Sequence, residues 1–126
     1  MAESGPSEAE LAAVLTALAG VRRGDAVVAL GVGRITLAAL AAGCGAPLLD
    51  PRTASPRSAA VVVVGLARDQ PAGLRLLRPG GRFVCLSDDE AAARIEAREA
   101  GVTLRFLEAV GEQVAWSAQA PSEPTG

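Results

Sequence analysis

The residues best placed to do chemistry in this 126-residue chain are Gly31, Gly33 and Asp50. The Gly31-Val32-Gly33 turn follows the apolar run Ala26 to Leu30 and opens a helical stretch from Ile35 to Ala42. Glycines between a strand and a helix let the backbone come close to a nucleotide. Asp50 lies 19 residues beyond Gly31, at the end of the next apolar stretch. An acid at that distance can accept hydrogen bonds from both ribose hydroxyls. The three residues together point to a nucleoside-binding edge. The same residues also admit a structural role, with the glycines forming a tight turn and Asp50 capping a loop.

Other polar groups carry less. The chain has no His, Lys, Tyr or Asn. Without His it lacks the usual general base near neutral pH, and without Lys it cannot form a Schiff base. Two distant cysteines, Cys44 and Cys85, do not make a zinc site. Both sit in apolar settings and read as buried thiols in a reducing compartment. Asp69, just after a strand, reads as a loop acid rather than a base. Asp88, Asp89 and Glu90 read as the acidic first turn of a helix, and no metal site is expected. Arg94 and Arg98 form an i, i+4 pair on a solvated face. Trp116 reads as a packing residue. No catalytic residue emerges.

The positioning elements follow from pattern. Ser7 and Glu10 form a capping box for a helix with Leu11, Val14, Leu15 and Leu18 on one stripe, stopped by Gly20. Ala26 to Leu30, Ala59 to Val64 and Arg82 to Ser87 are continuous apolar runs, as in strands buried on both faces. Ala46 to Leu49 is expected to be a short second strand, and Pro51 to Ser58 a loop. Leu74 to Leu77 sits on a short helix ended by Pro79-Gly80-Gly81. A helix runs from Asp88 and Asp89 to about Ala100. Val102 to Ala109 and Gln113 to Gln119 form a hairpin through Gly111-Glu112.

Alternating strands and helices imply an α/β, Rossmann-like three-layer sandwich, mostly parallel, with a C-terminal antiparallel hairpin. The expected order is second strand, first strand, then those of Val61, Phe83, Trp116 and Val102. A single domain spans 1–126, with 1–6 and 121–126 expected to be disordered. The 12 arginines against 14 acids give a net charge of −2, which argues against a nucleic-acid binder held by phosphate contacts. No apolar run reaches about 18 residues and the start does not read as a signal peptide, so a cytoplasmic location without membrane insertion is expected.

The stretch GDAVVALGVGRITLAALAAGCGAPLLD resembles the first motif, following helix and second strand of the class I S-adenosylmethionine-dependent methyltransferases. AAVVVVGLA is similar to their fourth strand. LRLLRPGGRFVCLS is similar to their fifth strand with the turn before it, and AREAGVTLRFLEAVGEQVAWSAQAP to their last helix and hairpin. The resemblance covers Glu8 to Pro121. It implies S-adenosylmethionine as cofactor, with Gly31, Gly33 and Asp50 as the positions that carry over. The chain departs from the pattern in four places. Ala29 stands where the family has an acid. Ile35 replaces the third motif glycine and is expected to crowd the turn. Pro51 to Ser58 replaces the family's next helix, its third strand and the adenine-contacting acid. Gly65-Leu66-Ala67 offers no catalytic motif. Dehydrogenases with the related dinucleotide fingerprint fit less well, because Thr36 would be their third glycine.

Three functions stay open. The chain could be a minimal, degenerate methyltransferase-like enzyme acting on a small molecule. It could be a pseudoenzyme that scaffolds a partner. It could be a non-methylating enzyme reusing the pocket. An unpaired Ala46–Leu49 edge and a core short of aromatics lead to an expected homodimer, or a complex with a related full-length partner. The competing expectation is that Pro51 to Ser58 folds over the edge.

Overall fold

Ser7 starts the first helix as the sequence predicts. Its hydroxyl accepts from Glu10 N at 3.1 Å while Glu10 Oε1 accepts from Ser7 N at 3.3 Å. The structure is a computed structural model that describes residues 7–122. The expectations for 1–6 and for 123–126 lie outside the described residues. The elements are α1 (Glu8–Ala19), β1 (Val27–Leu30), α2 (Arg34–Cys44), β2 (Ala59–Val64), α3 (Gln70–Leu76), β3 (Leu77–Ser87), α4 (Glu90–Ala100), β4 (Thr103–Val110) and β5 (Gln113–Gln119). A 3-10 turn at Ala67–Asp69 leads into α3.

The sheet order is β1-β2-β3-β5-β4. The pairs β1–β2 and β2–β3 are parallel, and β3–β5 and β4–β5 are antiparallel. All six residues of β2 are buried, because helices cover both faces of that strand. On one face Leu15 and Ala19 of α1 and Leu40 and Cys44 of α2 pack on Val27, Val61, Val63 and Val84. On the other, Leu76 of α3 and Ala93 and Ala97 of α4 pack on Val62, Val64, Phe83 and Trp116. Phe83 and Trp116 are the bulkiest side chains there, in edge contact with ring centroids 6.0 Å apart. The three-layer α/β expectation holds, as does the closing hairpin.

Two local readings need correction. Residues 46–49 are not a strand: a single bond, from Leu49 N to Val27 O at 2.9 Å, ties them to β1. Pro47 has no N–H to donate, and among the described residues no further strand lies beyond to complete a ladder. The segment instead wraps the β1 edge. Leu48 packs against the α1–α2 side, while Leu49 and Ala54 pack against the α3–α4 side. Thr53 N and Ala54 N both donate to Asp50 O, so Pro51 to Ser58 opens with a turn, as the loop expectation requires. The second correction concerns Pro79-Gly80-Gly81. These residues lie inside β3 and do not precede it. The register shifts between Ala59 opposite Leu77 and Val61 opposite Arg82, and the sheet absorbs the extra residues there.

Candidate functional site

Chain direction makes the crevice. α2 leaves β1 on one face of the sheet and α3 leaves β2 on the other. The gap beyond the C-terminal ends of β1 and β2 is therefore a topological switch point, where open α/β sheets take their ligands. Gly31 ends β1 with φ +67°, a conformation that L side chains rarely adopt. A side chain there would also meet Asp69 Oδ2 at 2.8 Å and Leu66 Cγ at 3.1 Å. Gly65 N donates to Leu30 O at 2.8 Å, and a Cβ on Gly65 would run into the Gly31 carbonyl. The two strand ends can come this close only because residue 65 is glycine.

A cavity of about 270 Å³ opens at this junction, lined by Gly31, Val32, Gly33, Thr36, Gly65, Leu66 and Glu8, among others. Gly31 and Gly33 both line this cavity, and Asp69 is placed beside Gly31. Asp50 does not line the cavity. It is exposed and its Oδ1 accepts from Arg52 N at 2.9 Å and lies 3.5 Å from Arg52 Nε. The backbone N–H of Arg52 holds this carboxyl below the ordinary carboxylate value, and the Arg52 side chain adds to the effect. Ile35, expected to crowd the turn, is 47% exposed and does not line the cavity.

Sequence reasoning missed Glu8. Its Oε1 accepts from Ile35 N at 2.9 Å, and a Cβ on Gly33 would meet that same oxygen at 2.5 Å. The carboxylate of α1 therefore caps the N-terminus of α2, where the helix dipole and free N–H groups favour negative charge. A signal was available. Gly33 has no side chain to cap with, and the first turn of α2 holds no acid. A helix so bare at its start takes its cap from elsewhere in the fold.

The other candidates have structural partners. Asp89 caps α4, accepting from Ala92 N at 2.8 Å, and Glu90 pairs with Arg94 at 2.8 Å. Trp116 is fully buried and its Nε1 donates to Ser87 Oγ at 2.8 Å. Ser87 in turn donates to Glu96 Oε1 at 2.6 Å, which also accepts from Gln70 Nε2 at 2.7 Å. Cys44 and Cys85 are both free and buried. Burial, and then the Glu96 charge, push the Cys85 thiol far above its ordinary pKa. Among the described residues no group of three His, Cys, Asp or Glu is placed to hold a metal, and no helix is long and apolar enough to cross a membrane.

No protein-family model and no curated protein sequence matches the chain. Solved structures do. A chain in a complex between the Haloferax volcanii Trm112 methyltransferase activator and a protein named as a methyltransferase superposes with TM-score 0.63 at 15% identity, over 93% of this chain and 91% of that one. An S-adenosylmethionine-dependent O-methyltransferase of Thermotoga maritima gives TM-score 0.63 at 11% identity, over 93% and 67%. The [4+2]-cyclase SpnF gives TM-score 0.61 at 11% identity, over 90% and 80%. The chain therefore has the class I methyltransferase-like, Rossmann-like fold, with five strands in its sheet.

Proposed function

We propose that the chain binds S-adenosylmethionine or a related nucleoside at the crevice where β1 and β2 end. The observation that carries this reading is the close approach of Gly31 and Gly65 at the switch point, beside a cavity lined by both of these glycines and by Gly33. Gly31 and Gly33 give the ligand close access to backbone. Asp50 offers its Oδ2 to the ribose hydroxyls, with Oδ1 already engaged by Arg52. The cavity is smaller than the ~300–1,000 Å³ typical of ligand sites, and Glu8 lines it. A nucleoside bearing a carboxylate fits once Glu8 swings off α2. When bound, S-adenosylmethionine brings its own activated methyl group, and the chain's task reduces to orientation.

Calorimetric titration with S-adenosylmethionine and S-adenosylhomocysteine tests the reading. Binding to the wild type is expected, and Asp50→Ala should weaken it by about 1.5–3 kcal/mol, the worth of a hydrogen bond to a charged group. Absence of heat at millimolar ligand would sink it. Unchanged affinity in Asp50→Ala would remove that residue from the site.

A second reading is favoured by Glu8, which already occupies the donors of α2, and by the lack of any His or Lys to act as a base. In it the domain is a pseudoenzyme that acts as a homodimer or with a related full-length partner. The neighbour drawn from a complex with an activator fits such a role. β1 stands at one end of the sheet, and the part of its edge beyond the bond from Leu49 N to Val27 O offers a place for pairing. Sedimentation equilibrium at micromolar concentration decides, since a single heat-stable species near 12.7 kDa would defeat the dimer. The cyclase neighbour gives the remaining possibility, a non-methylating enzyme on the same pocket. Buried free thiols fit a cytoplasmic home.

A further inference from the structure

At the opposite end of the sheet from the glycine turn lies a trough that the cofactor reading does not use. α1 stops at Ala19, and the trough opens beside that end. Its floor runs across Val61, Arg82 and Gln119, which are paired side by side, and on to Ser117 opposite Phe106, with Val61 and Ser117 buried. A cavity of about 310 Å³ sits there, at the low end of small-molecule sites. Four arginines line it, Arg22, Arg78, Arg82 and Arg105, with Asp25 as the one carboxylate. Asp25 Oδ2 already accepts from Arg22 N at 2.8 Å. Arg82 gives Nη1 to Ala19 O at 2.7 Å, the bare C-terminal carbonyl of α1. Arg22, Arg78 and Arg105 form no ion pair among the described residues. In a chain of net charge −2, this trough collects a surplus of three positive charges.

The edge strand supplies an aromatic rim. Leu104 lies opposite Ala118 and Phe106 opposite Ser117, so Arg105 is the unpaired residue of a bulge. In a regular strand neighbours point to opposite faces, whereas a bulge re-aims one of them. Arg105 and Phe106 thus rim the same cavity, and Phe106 is 67% exposed. Guanidinium groups that outnumber the carboxylates around one cavity repel one another, and a multiply charged anion relieves that repulsion while taking paired N–H donors. An exposed ring beside them adds a flat apolar surface for the rest of such a ligand.

We propose that this trough is a binding site for a small phosphate monoester bearing a ring. It is separate from the crevice at Gly31 and does not depend on a nucleoside binding there. The phosphate sits among Arg22, Arg78 and Arg105, and the ring lies on Phe106.

The test uses phenyl phosphate and inorganic pyrophosphate as probes, titrated by calorimetry into the full chain at about 0.1 M salt, where unspecific charge attraction is largely screened. Neither probe carries a nucleoside, so neither reports on the crevice. Both should bind with submillimolar affinity. The double variant Arg78→Gln/Arg105→Gln should lose about tenfold or more on both, as expected when charge-assisted bonds are removed. Phe106→Ala should weaken phenyl phosphate about threefold or more and leave pyrophosphate unchanged. All three residues are exposed, so the variants should melt within about 2 °C of the wild type, as surface substitutions do. Arg22→Gln gives an independent check should either variant fail to fold. Wild-type affinity in the folded arginine variants would overturn the site. Absence of binding at 10 mM phosphate probe, with binding only to a single-stranded oligonucleotide, would overturn the ligand class.

Discussion

Replacing Glu8 should move stability and ligand affinity in opposite directions. Glu8→Ala removes both the acceptor for Ile35 N and the negative charge at the start of α2. Losing a cap acceptor costs about 0.5–2 kcal/mol, and the charge adds about 0.3–1 kcal/mol at an exposed site. Glu8 is exposed, so the lower half of each range applies and the loss should be about 1 kcal/mol. For a chain of this length that lowers Tm by about 3–6 °C. Glu8→Gln keeps an acceptor oxygen and loses only the charge, so its cost should be about half. For an incoming carboxylate the sign reverses. Glu8 no longer competes for the free N–H groups, and S-adenosylhomocysteine should bind about two- to fivefold more tightly to Glu8→Gln than to the wild type. Thermal melts read the first effect and calorimetry the second. A Glu8→Ala protein as stable as the wild type would show that the carboxylate does not hold α2. Weaker ligand binding in both variants would make Glu8 a ligand contact and refute the competition.

Ser87→Ala should strand the buried indole N–H of Trp116 and cost about 1–3 kcal/mol in urea unfolding followed by Trp116 fluorescence, whereas a loss below about 0.3 kcal/mol would contradict the bond. Cys44 and Cys85 should both resist an aromatic disulfide reagent in the native protein and react together on unfolding; rapid release of one equivalent would place a thiol at the surface. Asp50 should titrate below the ordinary carboxylate value in carboxyl-carbon NMR. Because its folded pKa is depressed, its contribution to the turn is present above the unfolded pKa and fades as pH falls through the folded one; an unshifted titration would remove the Arg52 N–H bond.

Features set by local chemistry were legible in the sequence. The capping box at Ser7, the acidic start of α4, the valine run of β2 and the hairpin at Gly111-Glu112 all depend on neighbours in the chain. Features set by distant packing were not. Residues 46–49 have the composition of a strand, yet a strand needs partners on its ladder, and only Val27 O is offered. Ile35 is branched and follows the glycine turn, but whether it crowds anything depends on how α2 packs against β1. Glu8 and Gly33 stand 25 positions apart, and only the packing of α1 beside α2 brings them into contact. Of the candidate site, the glycines were readable from spacing, while the acid that meets them was not. The arginine trough is an extreme case. Its four arginines come from three separate segments, the turn after α1, β3 and β4, and none of them stands out in a chain where arginine is the only cationic side chain.

The single bond that stands in for a second strand has a consequence for how the chain folds. With β1 left at the edge, each parallel pairing joins a strand to the next one in sequence, and β4 pairs with β5 across a tight hairpin. No strand has to be inserted between two that are already paired. The longest reach in the sheet is that from Arg82 to Gln119. Topologies with such local pairings lose less chain entropy before their contacts form, and they fold faster than sheets whose central strand must wait for both flanks. The sheet should therefore zip outward from its βαβ units and its hairpin. The joining of β3 to β5, which buries Trp116 against Phe83, is the step that closes it.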